Sequence, residues 1–280
     1  MDIEKLISQA ATSLKNAGVE NARADARLLM RHTLGLSLEE LLLQSTRELC
    51  KEQEEAFGRL LALRLARKPI SQIIGMREFW GMQFTVTPDT LDPRPDSETI
   101  IEALLHHMPQ RAKPYRMLDL GTGTGCLLLS ALSEYPSSTG LGVDISREAL
   151  AVAGGNAEAL GLKNRAKFEN SDWNTGIKGV WDVVISNPPY IPTGDIPGLE
   201  PEVAKFEPIT ALDGGSDGLI CYRAITRSLP GLLASSGIAL LEVGQGQAPD
   251  VADLARAQGL RVVQLANDLA GIQRVVVISK

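Results

Sequence analysis

The sequence predicts an α/β protein built on a seven-stranded mixed sheet, preceded by a small helical bundle and a hairpin linker. Three observations carry this. Residues 1 to 68 show only helical periodicity. From Ser97 onward, short β-branched runs alternate with helical stretches, the pattern of a mainly parallel sheet covered on both faces. Between the last two runs lies only "ANDLAGI", too short for a crossover helix, so the last strand must run antiparallel to its neighbour.

The elements follow in order. "IEKLISQAATSLKNAG" puts Ile3, Leu6, Ile7, Ala10 and Leu14 on one helical face, with Gly18 as a stop. "ARADARLLMRHTLG" makes a second helix that closes at Gly35. Ser37 stands three residues before Glu40, a capping box opening "SLEELLLQ". "KEQEEAFGRLLALRLARK" carries a further helix up to Pro69. Residues 1–74 are therefore expected to form a helical domain that packs or meets a partner, because no chemistry-bearing cluster falls within it. In residues 75–96, Phe79, Trp80, Phe84 and Val86 with Gly75 and Gly81 predict a hairpin, and "TPDTLDPRP" a stiff link. Residues 97–280 then form the sheet domain. Strands are expected at 116–120, 140–145, 166–169, 181–185, 237–243, 260–265 and 273–279.

Composition narrows the class. Of 280 residues, 44% are apolar and 22% charged, ordinary for a globular protein. No apolar run approaches the roughly 18–20 residues of a membrane span, and "MDIEKLISQA" lacks the basic start and apolar block of a signal peptide. Cys50, Cys126 and Cys221 are scattered, with no CxxC pair, which fits reduced thiols in a cytoplasmic protein and no metal site. Residues 1–75 hold 11 basic against 10 acidic side chains and the remainder 17 against 24, so no basic face for nucleic acid is evident.

Chemistry-bearing residues fall at strand ends. After the first sheet strand comes "DLGTGTG", in which Gly121, Gly123 and Gly125 let the backbone turn tightly and approach a ligand where a helix begins. The spacing is GxGxG, distinct from a dinucleotide fingerprint or a P-loop. Asp144 ends the second strand in "GVDIS", where an acid can accept both hydroxyls of a ribose. "SDW", Ser171 to Trp173, follows the third strand with an acceptor and an aromatic face for a purine. In an open α/β sheet the strand C-termini form the ligand crevice, so together these describe a nucleoside site. The fourth strand delivers Asn187-Pro188-Pro189-Tyr190 to the same edge. The Asn187 side-chain oxygen and the Pro188 carbonyl can accept both hydrogens of a planar –NH2 group, and Tyr190 can stack on it. The prolines pre-set the corner, so little ordering remains for substrate binding.

"DLGTGTG", "GVDIS", "SDW" and "SNPPY" resemble the class I, Rossmann-like methyltransferases that use S-adenosylmethionine. The resemblance implies that Gly121, Thr122, Gly123, Thr124 and Gly125 pass beneath the methionine part, Asp144 holds the ribose, and Asp172 with Trp173 contact the adenine. It also places Asn187 beside both cofactor and substrate, and it implies S-adenosylhomocysteine as product with no metal. The motif serves both adenine N6 and glutamine amides. "GMREFWGMQFTVTPDTLDPRPDSETII", "FEPITALDGGSDGLICYRAI", "EVGQGQ" and "ARLLMRHTLG" are similar to the release-factor glutamine N5-methyltransferases (PrmC/HemK), across nearly the whole chain. The expected substrate is then the glutamine of the GGQ loop of a bacterial class 1 peptide release factor, with residues 1–74 docking that protein and no direct part for nucleic acid or membrane. Related ribosomal-protein glutamine methyltransferases share the NPPY and hairpin segments. An adenine-N6 nucleic-acid methyltransferase is disfavoured by the low basic count. An NAD-linked oxidoreductase explains neither NPPY nor the glycine spacing, and an intact glycine loop and Asn187 argue against an inactive binding module.

Three departures from the family pattern stand out. Asp92 replaces an aliphatic residue and Asp96-Ser97 replace Glu-Thr, which we take as same-charge or exposed-loop changes. Gly154 and Gly155 fall inside an expected helix. The long run from Ile191 to Gly218 is expected to form a substrate-binding wall, with Asp195, Glu200 and Glu202 solvated.

Overall fold

Helix formation in the first 75 residues follows from their apolar stripes and caps. The computed structural model describes residues 1–173 and 175–280, and these divide into two units: Met1–Gly75 with Glu200–Phe206, and Met76–Leu199 with Glu207–Lys280. The first contains α1 (Ile3–Asn16), α2 (Ala22–Leu34), α3 (Leu38–Leu43), α4 (Lys51–Leu65), α5 (Ile70–Ile74) and, from much later in the chain, α9 (Pro201–Phe206). Asp2 caps α1 by accepting from the Lys5 amide at 2.8 Å. The expected capping box is present, with Ser37 Oγ accepting from the Glu40 amide and Glu40 from the Ser37 amide. Ile3, Ile7, Ala10 and Leu14 are buried against Ala26, Leu29 and Met30 of α2 and Phe57 of α4, while Leu6 lies at the edge of the stripe.

This unit also corrects an expectation. Glu202 is not solvated. Its carboxylate accepts from Arg64 at 2.8 Å and from Arg67 at 2.7 and 2.6 Å, and Arg64 also donates to Asp25 at 2.7 Å. Burial opposes the charge on Glu202, but the hydrogen bonds from Arg67 and Arg64 prevail and hold its carboxyl below its usual value.

The second unit opens with a hairpin of β1 (Met76–Phe79) and β2 (Met82–Thr85). Trp80 and Gly81 turn it at φ values of +52° and +70°, the two-residue geometry that matches strand twist. The sheet has the order β5–β4–β3–β6–β7–β9–β8. Its strands are β3 (Arg116–Leu120), β4 (Thr139–Asp144), β5 (Ala166–Asn170), β6 (Trp181–Ser186), β7 (Leu233–Glu242), β8 (Arg261–Asn267) and β9 (Gln273–Ser279). The strands β3 to β7 pair in parallel, and β9 runs antiparallel to both its neighbours. Most strand ends differ from expectation by one or two residues; the larger difference is in β7, which begins at Leu233 because Leu233 pairs with Trp181 before a register shift that takes up the turn-like "ASSG".

Helices α6 (Glu98–His107), α7 (Cys126–Glu134), α8 (Arg147–Ala159), α10 (Ile220–Leu232) and α11 (Ala248–Ala257) cover the sheet. Side chains of β6 alternate between two cores: Val183 and Ile185 join Ile100, Leu104 and Leu128, whereas Val184 joins Tyr222, Ile225 and Val251. Among the described residues no helix is long and apolar enough to cross a membrane.

Gly154 and Gly155 lie within α8, and a Cβ at either would meet nothing within 4 Å. Nothing in the structure explains them. Glycine in a helix interior costs about 1 kcal/mol relative to alanine. The double variant Gly154→Ala/Gly155→Ala should therefore gain about 1–2 kcal/mol in urea denaturation, and a loss of stability would contradict the open environment described.

Candidate active site

The chain leaves β3 toward β4 and β5 on one side of the sheet, and leaves β6 toward β7 on the other. Loops diverging from two neighbouring parallel strands open a crevice at their C-terminal ends. A cavity of about 410 Å³ occurs there, lined entirely by the second unit. Gly121, Thr122, Gly123 and Thr124 line it after β3, Asp144 at the end of β4, Asp172 and Trp173 after β5, and Asn187 and Pro189 after β6. The strand tips expected from sequence therefore converge on one cavity.

Gly125, Pro188 and Tyr190 are not on its wall. Gly125 begins α7, and a Cβ there would stand 3.2 Å from both Ala153 and Leu129, so its work is close packing of the helix. Pro188 is buried, and nothing among the described residues donates to its carbonyl. Tyr190 is half-buried against the core that includes Val184 and Leu241, and it is not among the described residues that line the cavity. Burial is the main cause that pushes its hydroxyl up to about 12. Gly218 and Gly244 explain how the backbone can close around it: a Cβ on Gly218 would stand 2.4 Å from the Tyr190 carbonyl oxygen, and one on Gly244 3.0 Å from the Tyr190 ring.

Local hydrogen bonds set the glycine loop. The amides of Gly121 and Thr122 both donate to the Val143 carbonyl at 2.9 Å, tying the loop to β4. The Gly123 amide donates to Asp144 Oδ2 and the Ser146 amide to Asp144 Oδ1, each at 2.9 Å. Thr122 Oγ1 donates to Asp119 Oδ2 at 2.7 Å. Asp119 is fully buried, and burial pushes its carboxyl up to about 7. The Trp173 ring lies 3.7 Å from the position of a Cβ on Gly121, so a side chain there would press on the indole.

The charged lining is one-sided. Among the described residues of the wall, Asp89, Asp92, Asp144, Asp172 and Asp213 stand against one cation, Arg94, which suits a ligand bearing positive charge. Arg94 is itself engaged with Glu207 at 2.7 Å. Burial still pushes Glu207 up to about 7 against the pull of Arg94. The segment after the corner is pinned back on itself, with the Ile191 amide donating to the Leu212 carbonyl and the Gly214 amide to the Ile191 carbonyl. Pro208, Ile209, Thr210 and Ala211 of that segment join the wall.

Several site residues were invisible or misjudged in the sequence. The composition around Asp92 and Ser97 is that of an exposed loop, yet they are only 6% and 2% exposed and both line the cavity. Ser97 Oγ accepts from Asn187 Nδ2 at 3.2 Å, which turns Asn187 Oδ1 the other way. Gln247 in "EVGQGQ" fastens the far end of the corner: its Nε2 donates to the Tyr190 carbonyl at 2.9 Å, and its Oε1 accepts from the Gly244 amide at 3.0 Å. The only local signal for this pair of anchors was polarity just after the apolar run "GIALL".

Comparison with known proteins divides the chain similarly. Residues 5–75 match the PrmC N-terminal domain and residues 95–196 the methyltransferase small domain. The release factor glutamine methyltransferase of Rhodospirillum rubrum is 48% identical over 270 residues, 96% of this chain and 82% of that protein. The release factor glutamine methyltransferase of Cereibacter sphaeroides is 44% identical over 268 residues, 95% and 94% of the two chains. Among solved structures, the T. thermophilus 16S rRNA N2 G1207 methyltransferase in complex with AdoMet and guanosine shares the fold. It is 18% identical with a TM-score of 0.51, covering 73% of this chain and 49% of that one.

Proposed function

The chain belongs to the release factor glutamine methyltransferase family, and from that premise we propose that it methylates N5 of the glutamine in the GGQ loop of a class 1 peptide release factor, using S-adenosylmethionine. The observation that carries this reading is the placement of Asn187 on the wall of the same cavity as the glycine loop and Asp144. The five aspartates lining that cavity fit a cationic cosubstrate.

When bound, S-adenosylmethionine supplies a methyl group on a sulfonium, already a good leaving group. The chain's own residues bind and orient. Each oxygen of Asp144 accepts one backbone amide and keeps a lone pair for a ribose hydroxyl. Gly121 to Thr124 offer backbone at close range to the methionine part, and Asp172 with Trp173 take the adenine. Asn187 Oδ1 accepts one hydrogen of the substrate amide at the cavity wall, and the Pro188 carbonyl, which takes no donor among the described residues, is left as the second acceptor behind it. Holding the nitrogen within about 3–3.5 Å of the methyl carbon is the larger contribution, up to about 7–11 kcal/mol in favourable cases. Tyr190 backs the corner from behind the wall, held there by Gln247. The helical unit is then the docking domain for the protein substrate.

Two experiments test this. Asp144→Ala should weaken S-adenosylmethionine binding about 10- to 100-fold by calorimetry, the loss of charge-assisted hydrogen bonds; an unchanged dissociation constant removes the ribose assignment. Methyl-labelled S-adenosylmethionine should deliver label to release factor, and not to ribosomal protein, DNA or RNA offered separately. Label on nucleic acid and none on release factor would contradict the reading.

A further inference from the structure

Behind Asn187, away from the cavity wall, lies a buried polar cluster centred on Glu242 at the end of β7. Glu242 is 2% exposed, and its Oε2 makes no hydrogen bond among the described residues. The neighbouring cation is committed elsewhere: Arg274 donates to Asp268 at 2.9 Å and pairs with Asp96 at 3.0 Å. An acid so placed is costly to bury, and an apolar residue at the end of a core strand would serve the fold better. What Glu242 does have is contact with the catalytic corner: it follows Leu241, the register partner of Ser186, so it stands beside Asn187, and Ser97 and Asn187 both favour its charged form against the cost of burial.

That contact answers a chemical need. The two ends of an asparagine amide have nearly the same shape but opposite hydrogen-bonding character. With Oδ1 toward the substrate, Asn187 accepts from the –NH2 group; turned over, it opposes one –NH2 with another. Ser97 alone cannot choose between these, since a hydroxyl donates or accepts as its neighbour requires. A carboxylate can. By taking the Ser97 proton it leaves Ser97 Oγ as an acceptor, and the observed bond runs from Asn187 Nδ2 to that oxygen.

We propose that Glu242, acting through Ser97, is a positioning residue that holds the Asn187 amide with Oδ1 toward the substrate, and that it does so only when ionised. The proposal rests on the reading of Asn187 as the amide-gripping residue. Burial pushes the Glu242 carboxyl up to about 7, with Ser97, Arg274 and Asn187 opposing and Asp96 reinforcing the shift. The groups facing it are Arg274 on β9, Asp96 before α6, Tyr190 at the corner, Tyr222 on α10 and Cys126 on α7. As pH falls through the neutral range, Glu242 takes a proton and can donate. Ser97 is then free to donate to Asn187 Oδ1, and the amide is no longer held in one orientation.

The test uses the full chain and Glu242→Gln, which keeps size and removes the charge. We expect kcat for release factor at mildly basic pH to fall at least about 10-fold, with KM for release factor and the S-adenosylmethionine dissociation constant within about twofold. The wild-type decline in kcat below neutral pH should vanish in the variant. Ser97→Ala should reproduce the loss, and Ser97→Thr, which keeps the hydroxyl, should restore most of the rate. Independently of turnover, the Asn187 side-chain NH2 resonances should titrate near neutral pH in wild type, and should not in Glu242→Gln. A Glu242→Gln enzyme with wild-type kcat and the same acid limb would overturn the proposal, as would wild-type Asn187 resonances that ignore pH. The resonance measurement decides the matter even if a variant fails to fold. It also separates the two claims: absence of methyl transfer by the wild type refutes the proposed function, while the titration tests Glu242 by itself.

Discussion

Asn187→Ala is expected to bind S-adenosylmethionine nearly as well as the wild type while its kcat falls at least about 10²-fold. Under the proposed function the loss is large, because there Asn187 contributes little to holding the cosubstrate and much to aiming a poor nucleophile. An amide nitrogen delocalises its lone pair into the carbonyl, so the protein must hold it in line with the methyl carbon, and a displacement of about 1 Å is enough for this loss of rate. Alanine removes Oδ1 and also the partner of Ser97 Oγ. The fold should be untouched, since Asn187 lies beyond the last residue of β6 and the strand's buried residues, Val183 to Ser186, keep their packing. Rapid-quench turnover with calorimetry of cofactor binding checks this. A variant turning over near the wild-type rate would remove the two-acceptor grip.

Arg64→Ala should destabilise the helical unit by about 3–5 kcal/mol, the usual cost of removing one partner from a buried ion pair. Arg64 is 6% exposed and bonds Asp25 and Glu202 at once, so its loss strips a cation from two acids. Arg67 still holds Glu202 and sits in the left-handed region at φ +69°, donating also to the Ala17 and Gly18 carbonyls. Asp25 has no such second cation among the described salt bridges. Hydrogen exchange of α2 and α4 amides is the appropriate probe, because a two-unit chain need not unfold in one step. Arg111→Ala provides the control: its side chain is 55% exposed and its pair with Glu134 should matter by less than about 1 kcal/mol. Equal effects from the two substitutions would contradict the buried network.

Much of this was legible before the structure because it is local. Strand positions followed from β-branched runs and short gaps, and Asn187-Pro188-Pro189-Tyr190 signals itself by residue type alone. The residues that were missed depend on distant partners. Glu202 looked solvated because Arg64 and Arg67 lie more than a hundred positions away. Ser97 and Asp92 looked exposed because "DPRPDSE" has the composition of a surface turn, yet the chain there lines the cavity. Tyr190 is expected from sequence to stack on the substrate because its flat ring follows Asn187 at the tip of β6. Gly244, in the loop after β7, leaves room beside its ring, and Gln247 from the same loop holds its carbonyl, so the ring packs on the core. Glu242 offered one faint clue, an acid closing a run of buried apolar residues, and its meaning appears only when β7 and β6 are set side by side.

The most direct test of the whole account is to map the methyl group. Release factor incubated with the enzyme and S-adenosylmethionine should be digested and sequenced by tandem mass spectrometry. A single added methyl is expected on the side-chain amide of the GGQ glutamine, absent when Asn187→Ala replaces the wild type. A methyl on any other residue, or an unmodified release factor under conditions where the cosubstrate is consumed, would contradict it.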